Sequence, residues 1–236
     1  MPAKKKAKTE KTNINDHVNE FIQKHRKPLI FSLIGIVGVV VVLIAVFTIR
    51  DTMISRAFSR VDEFERRYQT IKDSYSEEQA ETILWSQDMD TLMDELAQFV
   101  KRTSGFAGAR AYALYALIFE DQLDWAAAES AWVNAAKTAS KTYFAPVAYF
   151  NAAVAAEEQG NQERALELYD QALGFGIQFP AAPRAQFSIG RIYESMGDQF
   201  AAITAYQALV NLGSQDQIWV NLAHSRILVL TIGLGF

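Results

Sequence analysis

No cysteine occurs in the 236-residue chain, which excludes disulfides, thiolate metal sites and a cysteine nucleophile and leaves packing as the source of stability. Catalytic signatures are missing too: there is no glycine-rich phosphate loop, no GxSxG elbow and no HExxH. The three histidines, His17, His25 and His224, fall on both sides of the longest apolar run. The adjacent acids Glu120-Asp121 and Glu157-Glu158 point apart on a helix, so they are expected to be solvated charge rather than an acid–base pair. No catalytic residue, metal site, cofactor, small-molecule substrate or nucleic acid is expected.

Charge is split between the two ends. Residues 1–28 carry eight basic residues against three acids, a net +5, so a chain of net −4 is acidic over the remainder. From Leu29 to Ile49 no residue is charged, and at roughly 1.5 Å per residue such a helix is about 31 Å long, the thickness of a hydrocarbon core. Ile36, Val37, Val39, Val40, Val41, Val42, Leu43 and Ile44 leave it no polar face, as a buried core helix would have. A 28-residue polar segment precedes it, unlike a cleaved signal peptide, so a retained membrane anchor is expected. The basic leader favours a cytoplasmic N-terminus, although Arg50, Arg56, Arg60, Arg66 and Arg67 follow the span closely.

Before the span, Ile14, Val18, Phe21 and Ile22 share one face of a short helix that Asn13 or Asn15 would cap. With Lys24, Arg26 and Lys27 it suits either contact with anionic headgroups or an ordinary juxtamembrane flank. After the span, Ile54, Ala57, Val61, Phe64, Tyr68 and Ile71 step by three and four, predicting a helical stalk whose stripe packs on the chain's own next helix rather than in a coiled coil. Ser76 to Gln79 has capping-box spacing and starts a helix running to Thr103-Ser104-Gly105, with a break allowed at Ser86-Gln87-Asp88.

From residue 109 the chain repeats with a period of 37. Tyr149, Ala152, Ala153, Ala156, Gly160, Ala165, Tyr169 and Ala172 return as Gln186, Ile189, Gly190, Tyr193, Gly197, Ala202, Tyr206 and Leu209. One period earlier stand Tyr112, Tyr115, Ala116, Phe119, Leu123, Ala128, Trp132 and Ala135. Bulky and small residues in alternation let two helices of a unit cross closely, Gly160 and Gly197 fall at the turn between them, and Pro146, Pro180 and Pro183 mark unit boundaries. These spacings resemble the tetratricopeptide repeat over residues 109–230, with a longer period than the usual repeat and with Leu123 in place of the first turn glycine. A fourth unit opens with Trp219, Leu222 and Ala223 and would act as a C-terminal cap. The apolar stretch from Ile227 to Phe236 either buries against the last unit or meets a partner or membrane.

The fold expected is all-α: one N-terminal transmembrane helix followed by a solenoid of about three to four helix pairs. The domains are a basic tail over 1–28, the span over 29–49, a stalk and first helix pair over 50–104, and the repeats with their cap over 105–236. In the family resembled, the concave wall is built from the first helix of each pair. Mapped onto this chain, that wall is Arg110, Ala113, Leu117 and Glu120, then Val147, Phe150, Val154 and Glu157, then Arg184, Phe187, Arg191 and Glu194. Arg110, Phe150, Arg184, Phe187 and Arg191 are the expected partner-binding residues, because aromatics with arginine are the usual interface anchors. Ala113 and Leu117 stand where the carboxylate clamp for chaperone tails needs lysine and asparagine, which leaves Asn151 and Arg184 as a partial match and disfavours that ligand.

The whole architecture resembles the bacterial ancillary SecYEG translocon subunit family (YfgM-like). The resemblance implies an inner-membrane protein whose periplasmic domain meets translocon subunits, periplasmic chaperones or exported chains. A structural scaffold of a cell-envelope machine, such as one for cell division, the flagellar motor or outer-membrane assembly, is the alternative.

Overall fold

The computed structural model describes residues 14–74, 83–176, 179–212 and 217–233. Among them every regular element is an α-helix. The chain divides into two compact units, Met1–Ser55 and Arg56–Phe236.

The first unit holds α1 (Ile14–Lys24) and the N-terminal part of α2 (Arg26–Ser74). Because α1 starts at Ile14, Asn15 lies inside its first turn, while Asn13 lies outside the described residues. One described helix, α2, is long and apolar enough to cross a membrane, and nothing in the protein buries its most apolar stretch. At the end of that stretch the hydroxyls of Thr48 and Thr52 donate to the carbonyls of Ile44 and Thr48 at 2.9 and 2.8 Å. Thr70, Thr91, Thr204 and Thr231 make the same bond in the second unit, the usual local partner of a helical threonine.

The second unit begins with the C-terminal part of α2. Val61, Phe64, Tyr68 and Ile71 pack on Met89, Leu92 and Leu96 of α3 (Ile83–Val100) and on Ala107, Ala111, Leu114 and Ile118 of α4 (Gly105–Asp121). The stripe expected from their spacing therefore serves intramolecular packing. The expected break at Ser86-Gln87-Asp88 is absent, since α3 runs through it; nothing at those positions, neither glycine nor proline, forces an end. The capping box at Ser76 to Gln79 lies outside the described residues.

Three helical pairs follow: α4 with α5 (Trp125–Thr138), α6 (Phe144–Glu158) with α7 (Gln162–Leu173), and α8 (Ala182–Ser195) with α9 (Gln199–Asn211). A lone α10 (Gln217–Gly233) comes last. Each pair is closed by the same device. Asp124, Asn161 and Asp198 donate their amide to the carbonyls of Phe119, Ala156 and Tyr193 five residues back, each at 2.9 Å, the Schellman arrangement that ends a helix. Their side chains then accept from Ala127, Arg164 and Ala201, capping the second helix. The residue between the two duties must be left-handed, with φ of 60° at Leu123, 74° at Gly160 and 82° at Gly197. Where helices cross most closely the side chain is deleted altogether: a Cβ on Gly190 would lie 2.5 Å from the Tyr206 ring.

The cap is apolar on several faces. Ala223 and Leu230 are buried beside Tyr206 and Leu209, with Trp219 and Ile227 packed around them, whereas Ile218, Leu222, Leu228, Val229 and Ile232 are exposed. The stretch from Ile227 is thus split between the two fates expected for it, and residues 234–236 lie outside the described part.

Candidate partner-binding groove

The first helices of the pairs, α4, α6 and α8, share one wall of the second unit. At its start a cleft of about 1070 Å³ runs between α2 and α4. Asp62, Glu65, Arg66, Gln69 and Asp73 form one side, and Ala113, Leu114, Leu117, Trp132 and Phe144 form the apolar other. A neighbouring cavity of about 310 Å³ is lined by Leu117, Glu120, Trp125, Trp132, Phe150, Asn151, Val154, Glu158 and Arg184. Leu117 and Trp132 belong to both, so the two hollows adjoin. Arg110, Ala113, Leu117, Glu120, Phe150, Val154 and Arg184, which the family resemblance puts on the concave wall, line this surface.

The five expected binding residues differ in how free they are. Arg110 reaches back to α2, donating to Glu65 at 2.7 Å and pairing with Asp62 at 2.9 Å. Phe150 is only 6 % exposed and sits in the core against Tyr169 and Phe179, so it forms the floor of the groove instead of projecting from it. Arg184 is exposed and lies 5.0 Å over the Phe150 ring, a cation–π contact. Phe187 does not line the groove. It is partly buried between Tyr206 and Trp219, with centroids at 5.2 and 5.3 Å, and joins the third pair to the cap. Its placement departs from the mapping of the family's concave wall onto this chain, because the cap's Trp219 packs against it. Arg191 is ion-paired with Glu157 yet keeps 54 % of its side chain exposed.

Of the adjacent acids, Glu120, Asp121 and Glu157 are held by partners, while Glu158 is exposed. Trp132 Nε1 donates to Glu120, Tyr169 Oη to Glu157 and Tyr206 Oη to Glu194, each at 2.6 Å and each across twelve residues. Glu157 also receives Arg191 from the next pair, and Glu194 receives Arg226 from the cap. The Arg226 hydrogen bond, opposed by partial burial and aided by Tyr206, holds the Glu194 carboxyl below the usual range. Burial, then the bond to the glutamate, pushes the Tyr169 and Tyr206 hydroxyls well up. Asp121 is used in the same way on the other side: Tyr68 donates to it and Lys72 pairs with it at 2.8 Å, and burial with that bond pushes Tyr68 up to about 12. These carboxylates fasten helices together. Their signal in the sequence was the 37-residue recurrence of Glu120, Glu157 and Glu194, each followed twelve residues later by an aromatic with a donor.

Comparison with known proteins gives three findings. The tetratricopeptide-repeat profile matches residues 146–175 and 183–214. A "TPR repeat-containing protein" of Treponema pallidum (strain Nichols) is 31 % identical over 228 residues, covering 92 % of this chain and 95 % of the relative. Among solved structures, "Crystal structure of MamA" superposes with a TM-score of 0.48 at 16 % identity, over 64 % of this chain and 81 % of that one. "MamA MSR-1 C2" does so with 0.42 at 15 %, over 67 % and 93 %.

Proposed function

This chain belongs to the tetratricopeptide-repeat proteins, and on that premise we propose that it is a membrane-anchored adaptor whose groove captures other proteins. Its repeats indicate protein partners. The observation that carries the reading is the hollow wall of α4, α6 and α8, apolar at its floor and charged at its rim, which is how a surface that grips an extended segment or a helix is built. Arg184 stands at the rim, Arg110 secures the α2 wall, and Phe150 with Leu117 and Trp132 supplies the floor; Arg191, half exposed beside Glu157 and outside both linings, is a further proposed contact. Phe187 contributes through the cap.

The apolar part of α2, with the Leu29 to Ile49 span at its centre, anchors the protein in an inner membrane. Its length, apolar composition and complete exposure in the isolated chain support that assignment. The basic tail stays cytoplasmic and the repeats face the periplasm, where translocon subunits, chaperones and exported chains are the partners expected. Crosslinking in intact membranes, followed by gentle solubilisation and identification of the adducts, tests this. Translocon or export components should dominate, and a predominance of cell-division, flagellar or outer-membrane assembly proteins would replace the reading with that of a machine scaffold.

A further inference from the structure

The three helical pairs each place a glutamate at the end of the first helix, and two of the three glutamates hold a guanidinium. Glu157 takes Arg191 from the following helix 34 residues on, and Glu194 takes Arg226 from the cap. Among the described residues Glu120 takes the single donor of Trp132. In the 37-residue frame, the position of Arg191 corresponds to Val154 on α6, and among the described residues no lysine or arginine reaches Glu120.

The place that the missing side chain would fill is hollow. It is the 310 Å³ cavity, and its lining suits an arginine. Trp125 and Trp132 contribute aromatic surface for a guanidinium, Leu117 and Val154 offer apolar surface for the methylenes, and Glu120 and Glu158 offer carboxylates. Arg184 is the one cation in the lining, and it rests on the Phe150 ring. One indole donor leaves most of the acceptor capacity of the Glu120 carboxylate unused. Beyond this pocket, residues 56–236 carry 23 acids against 14 lysines and arginines, so the whole unit attracts a basic partner.

We infer that this cavity is a binding site for an arginine side chain of the partner, which supplies in trans the cation that the repeat omits. The guanidinium pairs with Glu120 as Arg191 does with Glu157, and the partner segment is basic with apolar flanks. The inference rests on the adaptor reading and adds to it the chemistry of the anchor.

The test uses the full chain in detergent micelles, with its tryptophan indoles labelled with ¹⁵N and the Trp132 signal assigned through Trp132→Phe. The probe is a capped pentapeptide with a central arginine between leucines, set against the same peptide with neutral citrulline. The arginine peptide should shift the Trp132 indole N–H saturably and bind at least about tenfold more tightly than the citrulline peptide, as a charge-assisted pair in a partly desolvated site does. Glu120→Gln, which still accepts from Trp132, should abolish the discrimination. Val154→Arg should restore the internal pair and abolish peptide binding with helicity unchanged. Equal binding of both peptides, no shift at all, or binding that survives in Glu120→Gln with full discrimination would overturn the site. If the peptide fails while crosslinked partners are still recovered, this inference falls and the adaptor stands; if both fail, both fall.

Discussion

The hydroxyl of Tyr169 donates to the carboxylate of Glu157 at 2.6 Å, tying the second helix of a pair to the last turn of the first. Glu157 is 15 % exposed, so its partners replace water that it has largely lost. Tyr169→Phe should therefore lower stability by about 1.5–3 kcal/mol, the range for hydrogen bonds to charged groups, and Tyr206→Phe should match it. Denaturant melts of the full chain in micelles check this, and an unchanged midpoint in both variants would remove the carboxylate from the account of how the pairs hold.

The turn at Leu123 is the clearest place to improve the protein. A leucine with φ of 60° and a side chain 71 % exposed carries the steric cost of the left-handed region and gains no burial. Leu123→Gly should raise the melting midpoint, by about 1 kcal/mol in stability, despite the entropy that glycine adds to the unfolded chain. A loss of stability would show that Leu123 has contacts of its own.

Gly190 should respond in the opposite sense to an ordinary helical glycine. In an open helix, Gly→Ala gains about 1 kcal/mol. Here the new methyl meets the buried Tyr206 ring, which is fixed by Glu194, and the cost should be about 1–3 kcal/mol. Thermal melts of Gly190→Ala check this, and a midpoint that rises would show that the Tyr206 ring moves aside freely.

The repeat frame was legible in the sequence because a solenoid writes each contact several times. Small residues, turn glycines and aromatics recur at fixed offsets, and Asp124, Asn161 and Asp198 could have been found as caps by the same comparison. The groove was partly legible for the same reason, since Leu117, Val154 and Arg184 share a wall. Burial of Phe150 was not, because Phe179 comes from the linker between pairs and no periodicity announces it. Nor was the place of Phe187, which depends on how α10 docks.

That docking has its own consequence. Phe187→Ala removes the ring held between Tyr206 and Trp219 and should destabilise the cap by about 3 kcal/mol, the low end for a phenylalanine deleted from a core. Hydrogen exchange should show α10 amides losing protection while those of α4 and α5 keep theirs, because repeats couple mainly to their neighbours. Uniform loss along the domain would contradict that locality.

Acid should loosen the cap and also the α2–α3 contact at the start of the domain. Glu194 and Glu95 are held below the ordinary carboxylate range, chiefly by hydrogen bonds from Arg226 and Arg67. Their contribution is present above the unfolded value of about 4.3 and is lost as pH falls through the depressed folded values. The melting temperature should hold steady from about pH 8 to 6 and fall below about 4.5, and Glu194→Gln should flatten part of that fall.

The fastenings between successive pairs do not all lie on one side. Pairs two and three are clasped between their first helices by Glu157 with Arg191, and pair three is clasped to the cap by Glu194 with Arg226. Pairs one and two are clasped on the opposite side, between the second helices, where Arg164 meets Glu129 at 2.8 Å and Gln159 joins it at 3.0 Å. Side-chain clasps are not the whole of a joint, because α5 packs on α6 far more extensively than α7 packs on α8. Bending of the domain should therefore concentrate between the second and third pairs, where the Glu157–Arg191 pair and the Gln162–Ser195 hydrogen bond do a larger share of the holding.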